Sequence, residues 1–123
     1  MFTRGKSGMV VLFVLLFCIP YSCEVTMEED QYDLADIPNV TWEYPVKQIL
    51  ETNCVPCHNA NLRYKGVRHD LYESELIVVN DGRLRKAINH LPGITRMPYQ
   101  QKQLPPNELE ILNHWIDIGA PEN

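Results

Sequence analysis

The sequence lacks any apolar run long enough to cross a membrane comfortably. Its longest such run, MVVLFVLLFCI, covers residues 9–19, whereas a transmembrane helix needs about 20 residues. Arg4 and Lys6 precede the run, and a basic segment before a short apolar core is typical of an export signal. We therefore expect residues 1–22 to be a signal peptide that directs the chain out of the cytoplasm.

The residues at the end of the signal peptide indicate how the exported protein is attached to a membrane. The stretch PYSC resembles a bacterial lipobox in which Cys23 is the lipidated residue, although Pro20 stands where an apolar residue such as Leu is usual. The alternatives are ordinary cleavage, which leaves Cys23 as a spare thiol, and an uncleaved membrane anchor. The interpretation that we follow is a lipoprotein in the periplasm, anchored to a membrane through Cys23.

Basic residues are also scarce. The chain has 11 Lys and Arg against 16 Asp and Glu, and removal of residues 1–22 leaves 9 against 16, a formal charge of −7. Nucleic acid is thereby excluded as a partner, because its phosphates need a basic surface. Net acidity is compatible with a basic partner protein, and equally with a charge that only keeps an exported protein soluble. We interpret residues 23–41, which are acidic and lack a clear period, as a flexible tether.

Regular strand patterns are missing from residues 42–123, and LIVV is the only strand-like run. Four helical patterns replace them: YPVKQILETN, LYESELIV, NDGRLRKAINHL and PPNELEILNHWIDIGAP. The third pattern predicts a helix with Leu91 on its apolar side. In the fourth pattern, Ile118 is expected to widen the apolar face of the helix. The sequence thus predicts one small all-α domain, and a domain of about 80 residues usually needs a staple, a metal or a cofactor.

The stretch CVPCH, residues 54–58, is the most informative motif. A Cys-x-x-Cys pair serves thiol exchange, zinc binding or covalent haem attachment. Redox dithiols place the first cysteine at the start of a helix after a strand, but here a helix precedes Cys54. Structural zinc sites have four ligands, and the four histidines of this chain form no close pair to complete one, so that only a scattered site of two cysteines and two histidines is possible.

Haem attachment uses both cysteines and the histidine of the motif. The thiols of Cys54 and Cys57 form thioethers with the two vinyl groups of a porphyrin, and the adjacent His58 becomes the proximal iron ligand. Export agrees with this interpretation, because such attachment takes place outside the cytoplasm. The sequence therefore predicts one covalently bound haem c.

NCVPCHNAN, TRMPYQ and ELEILNHWIDIGAP together resemble the small class I-type bacterial cytochromes c, over about residues 44–121. The resemblance implies a cytochrome c-like fold of about four helices around one haem, in an electron-transfer protein rather than an enzyme. It also implies that Met97, in a loop before the last helix, is the distal iron ligand. Pro98 biases Met97 away from helical geometry, which suits a ligand on an extended loop.

Several alternatives remain open at this stage. Met97 can instead be a buried apolar side chain, in which case His90 is the next candidate ligand. A haem enzyme or sensor with an open sixth position is the main rival function. His69 and His114 are expected to face solvent, and a backbone carbonyl near Gly66 is expected to hold the His58 imidazole. The redox partners are not identified by the sequence.

Overall fold

The computed structural model describes Ala35 and residues 37–123, and this part of the chain consists of helices and loops without a regular strand. The α-helices are α1, Val46–Asn53; α2, Tyr72–Asn80; α3, Arg83–Ile88; and α4, Pro106–Asp117. A short 3-10 helix, Tyr64–Gly66, lies in the loop between α1 and α2. The all-α prediction is therefore confirmed for the described residues. None of their helices is long and apolar enough to cross a bilayer.

Helices α1 and α4 pack against each other and form the centre of the core. Their apolar residues recur every three or four positions, so that each helix presents one continuous apolar side. Trp115 of α4 is fully buried and lies 6.2 Å from Trp42, measured between ring centroids. The fully buried aliphatic residues of this interface are Val46, Leu50, Ile111 and Leu112.

Helices α2 and α3 form a second pair, joined by a tight turn. Gly82 makes this turn with a φ of 76°, a left-handed conformation that residues with a Cβ rarely adopt. Arg85 of α3 donates a hydrogen bond to the Asp117 carboxylate, and Nδ2 of Asn89 donates to Oδ1 of Asn113 at 2.9 Å. These polar contacts connect the second pair to α4.

The two ends of the domain meet in the fold. The backbone nitrogen of Trp42 donates to the carbonyl of Pro121 at 2.9 Å, and the Trp115 indole nitrogen donates to the same oxygen at 2.9 Å. Val40 is buried in the core and Ile37 packs against it. The packed domain thus begins before residue 42, because two apolar side chains near the end of the acidic segment pack onto the core.

Two predicted core positions are wrong. Leu91 is 43 % exposed, because α3 already ends at Ile88 and His90 turns the chain with a φ of 55°. Ile118 is 49 % exposed, because α4 ends at Asp117 and Gly119 redirects the chain. The predicted signal peptide of residues 1–22, the predicted lipidation site Cys23, and residues 24–34 and 36 of the tether lie outside the described residues.

Candidate functional site

The CVPCH motif begins at the carboxyl end of α1. Cys54 is the residue that ends the helix, and its backbone nitrogen donates to the Leu50 carbonyl at 2.8 Å. The chain then makes one further turn, in which the nitrogen of Cys57 donates to the Cys54 carbonyl at 3.1 Å and that of His58 does so at 2.9 Å. One turn of backbone therefore holds both thiols and the imidazole together.

The two thiols of the motif lie in different environments, and both are free. Cys54 is buried in the core, whereas Cys57 is exposed. Burial raises the pKa of the Cys54 thiol to about 12, and the nearby carboxylates of Glu75 and Glu108 add to this effect. Cys54 consequently stays protonated at neutral pH and is a poor thiolate nucleophile.

His58 is buried between the motif and the loop that follows it. Its ring lies edge-on to the ring of Tyr64, with centroids 6.4 Å apart, and edge-on to that of His69 at 5.2 Å. Burial lowers the pKa of His58 and the neighbouring His69 lowers it further, while the backbone of Val67 and Tyr64 opposes the shift. The imidazole is thus kept neutral, which is the form that binds a metal.

The backbone near Gly66 lies beside the His58 ring and opposes the lowering of its pKa. Nδ1 of His58 is buried and makes no hydrogen bond in the structure. The backbone groups that act on this imidazole, those of Tyr64 and Val67, lie on either side of Gly66 in the sequence. The loop around Gly66 therefore lies beside the ring, as the sequence predicted, but no hydrogen bond to Nδ1 is formed.

His69 is buried, so the prediction that it faces solvent is wrong. Only 7 % of the residue is exposed, and its backbone nitrogen donates to the His58 carbonyl at 2.9 Å. Its Nδ1 lies 2.5 Å from Oε2 of Glu75, which is fully buried on α2. The polar neighbours Arg68 and Asp70, which pair with each other at 2.7 Å, made the segment look like a solvated loop.

Glu75 was not found by sequence reasoning. It lies three residues before the buried Val78, on the same side of α2, and so occupies a core position. A histidine shortly before this helix was the available signal, because a buried carboxylate requires a partner. The Glu75 carboxylate also acts on Cys54, so this side chain is part of the surroundings of the motif.

Met97 lies in the loop before α4 and is half-buried. Its backbone nitrogen donates to the Ala87 carbonyl of α3 at 3.1 Å, and its carbonyl oxygen lies 3.0 Å from Nε2 of His90. A carbonyl only accepts hydrogen bonds, so this His90 nitrogen carries the proton. The structure thus places the two candidate distal ligands beside each other, with His90 holding the backbone of Met97.

His114 lies on α4 and is half-buried, at a position between the core side and the solvent side of the helix. The prediction placed it in solvent, whereas the structure covers part of this residue.

No family model matches the chain, and no match is found among the curated proteins or the solved structures.

Among the described residues, no group of three or more His, Cys, Asp and Glu side chains has the arrangement of a metal site. A haem iron held by one imidazole and one thioether would not form such a group, because the porphyrin supplies the other four ligands. The residues of the motif nonetheless fit a covalent haem in two observed respects. Both thiols are free, and burial lowers the pKa of the His58 imidazole, so that the ring is neutral.

Proposed function

We propose that this protein is a monohaem c-type cytochrome that carries single electrons. Cys54 and Cys57 would attach haem c through thioethers, with His58 as the proximal iron ligand and Met97 as the distal one. The observation that supports this proposal best is the single backbone turn that joins two free thiols to a neutral imidazole. Covalent haem attachment is the chemistry that requires all three groups at this spacing.

The rival chemistry of thiol exchange fits the same residues poorly. A reactive dithiol needs a thiolate, which the positive end of a helix dipole stabilises. Cys54 instead ends α1, where the dipole is negative, and burial raises its pKa to about 12. The environment of Cys54 therefore opposes ionisation, whereas thioether attachment leaves no thiol to ionise.

Exposed apolar side chains near both motifs agree with a haem between them. Leu62 and Tyr64 are exposed in the loop after His58, and Leu91 and Tyr99 are exposed on either side of Met97 in the sequence. A porphyrin needs apolar side chains around it to exclude water from the iron. These residues would supply part of that cover.

A bound haem c supplies reversible one-electron chemistry at its iron. The chain's own residues bind and tune it: His58 would offer a neutral nitrogen, and Met97 a thioether, which raises the reduction potential. With both positions filled, no substrate reaches the iron and no catalytic side chain is needed. We therefore propose an electron-transfer protein rather than an enzyme.

The proposed location is the periplasm, with a lipid anchor on Cys23 and unidentified redox proteins as partners. Residues 42–123 contain 10 acidic and 9 basic residues, so the domain itself has a formal charge of −1. Six acidic residues lie between residues 24 and 36. Long-range attraction to a basic partner would therefore come from the tether more than from the domain.

The decisive experiment uses the chain exported from a host with haem-maturation machinery. A denaturing gel stained for haem tests covalent attachment, and oxidised and reduced visible spectra test the ligands. We expect haem that survives denaturation, a low-spin spectrum and a weak methionine–iron charge-transfer band. Haem without that band would favour His90 as ligand or an open, enzymatic iron, and absence of haem would refute the proposal.

A matched pair of variants makes the attachment test specific. Cys57→Ser removes one proposed thioether and should greatly lower the yield of haem-bearing protein. Cys23→Ser removes a thiol outside the motif and should leave the ratio of haem to protein unchanged. Equal ratios in both variants would contradict thioether attachment at Cys57.

A further inference from the structure

The buried carboxylate of Glu75 has no role in the proposed haem attachment. Oε2 lies 2.5 Å from Nδ1 of His69, and Oε1 is buried without a hydrogen-bond partner. A buried pair of this kind is weak support for stability, because apolar residues of similar volume often replace such pairs without loss. The position of the pair beside the motif gives a better reason for its presence.

His69 connects Glu75 to His58. Its ring meets the ring of His58 edge-on, at an interplanar angle of 88° and a centroid distance of 5.2 Å. Its backbone nitrogen donates to the His58 carbonyl at 2.9 Å. His69 is thereby held by its side chain at Glu75 and by its backbone at His58, and its ring packs edge-on against the His58 imidazole.

An iron-binding imidazole usually has a partner that fixes the plane of its ring, most often a hydrogen bond to the second nitrogen. In this structure the Nδ1 atom of His58 makes no such bond. The edge-on contact with His69 is the arrangement that can take over this task.

We propose that Glu75 and His69 are positioning residues that fix the plane of the His58 imidazole against the haem. Glu75 holds His69 through the Nδ1 hydrogen bond, and His69 holds the His58 ring by edge-on packing. This inference rests on the proposed function, since it concerns the proximal ligand of a bound haem.

The test uses the exported, haem-bearing protein and four variants. Glu75→Leu removes the acceptor, Glu75→Gln keeps one, and His69→Gln removes the ring but leaves an amide donor for the carboxylate. Glu73→Leu is the control, because it makes the same change at an exposed position on the same helix. The readouts are the ratio of covalent haem to protein and the haem methyl proton resonances of the ferric form, which shift with the plane of the axial imidazole.

We expect all four variants to retain covalent haem, because both cysteines are present. The haem methyl resonances should shift in Glu75→Leu and in His69→Gln, and should stay near those of the parent in Glu75→Gln and Glu73→Leu. Parent-like resonances in both Glu75→Leu and His69→Gln would overturn the inference. If Glu75→Leu does not fold, His69→Gln decides alone, and a parent protein without haem would refute the proposed function instead.

Discussion

Asn53 donates a hydrogen bond of 2.9 Å from Nδ2 to a carboxylate oxygen of Glu108, and this bond joins the last turn of α1 to the first turn of α4. The same nitrogen donates to the Ile49 carbonyl at 2.9 Å. Asn53 immediately precedes Cys54. The contact therefore fixes the helix end from which the CVPCH turn departs.

Asn53→Ala should destabilise the domain. The substitution removes a half-buried hydrogen bond to a carboxylate and should lower the free energy of unfolding by about 1–2 kcal/mol. Urea denaturation followed by far-ultraviolet circular dichroism measures the change. The control is Glu51→Ala, an exposed position on the same turn, which should change the free energy by less than about 0.5 kcal/mol. Equal losses in the two variants would show that the Asn53–Glu108 bond contributes nothing.

Cys54 and Cys57 should differ in their reactivity towards alkylation. At pH 8 a thiol with a pKa of about 12 is ionised in only about one molecule in ten thousand, and Cys54 is also buried. In apoprotein made in a reducing cytoplasm from residues 24–123, iodoacetamide should modify Cys57 at least about tenfold faster than Cys54. The rates are compared by mass spectrometry in Cys54→Ser and Cys57→Ser, each of which keeps one thiol. Equal rates would contradict the burial of Cys54.

The raised pKa of Cys54 also predicts a pH dependence of stability. The folded state holds this proton up to about pH 12, whereas the unfolded thiol loses it near its ordinary pKa. Between these values the unfolded state binds fewer protons, so the free energy of unfolding of the apoprotein should fall as the pH rises from about 9 towards 12. Below pH 8 the contribution of Cys54 is fully present.

The control for this effect is Cys54→Ser, in which the corresponding decrease should be absent, so that the difference between the two curves isolates the thiol. The haem-bearing protein should also lack it, because a thioether has no proton to lose. Parallel stability curves for the parent apoprotein and Cys54→Ser would contradict the prediction.

Met97→Ala should leave haem attached while removing the proposed distal ligand. Loss of the thioether should lower the reduction potential, because a methionine sulfur favours ferrous iron, and should allow cyanide or imidazole to bind. Redox titration and ligand binding, both followed in the visible spectrum, measure these changes. Met27→Ala, outside the proposed site, should behave like the parent. A Met97→Ala spectrum identical to that of the parent would exclude Met97 as ligand.

The helices could be predicted because their apolar residues follow a regular spacing and their ends have clear signals. Prolines precede α4 and Gly119 follows it, and the core positions Leu112 and Trp115 share one side. The same reasoning placed Leu91 and Ile118 in the core wrongly. The spacing of apolar residues in the sequence continues past the end of the helix, where the backbone turns at a residue of positive φ such as His90.

The turn that joins Cys54, Cys57 and His58 could be predicted because the three residues lie within five positions of the sequence, whereas haem attachment to that turn stays a prediction. The surroundings of His58 could not be predicted, because they depend on tertiary contacts. His69 follows Arg68 and precedes Asp70, so its local sequence indicates a solvated loop, yet the fold buries it against Glu75. A buried ion-pairing side chain is recognised only once its partner is known.

The pairing of the two ends of the domain places the first and last residues of the domain at the same end of α1, opposite the CVPCH motif. Near the start of α1, the backbone nitrogens of Trp42 and Glu43 donate to the carbonyls of Pro121 and Glu122. The CVPCH motif begins at the other end of that helix. Eight helical residues separate these points by about 12 Å along the helix axis. The point at which the chain enters the domain and the exposed Cys57 therefore lie at opposite ends of α1. An affinity tag on the last residue would sit at the first of these ends, away from Cys57 and from the haem that we propose there.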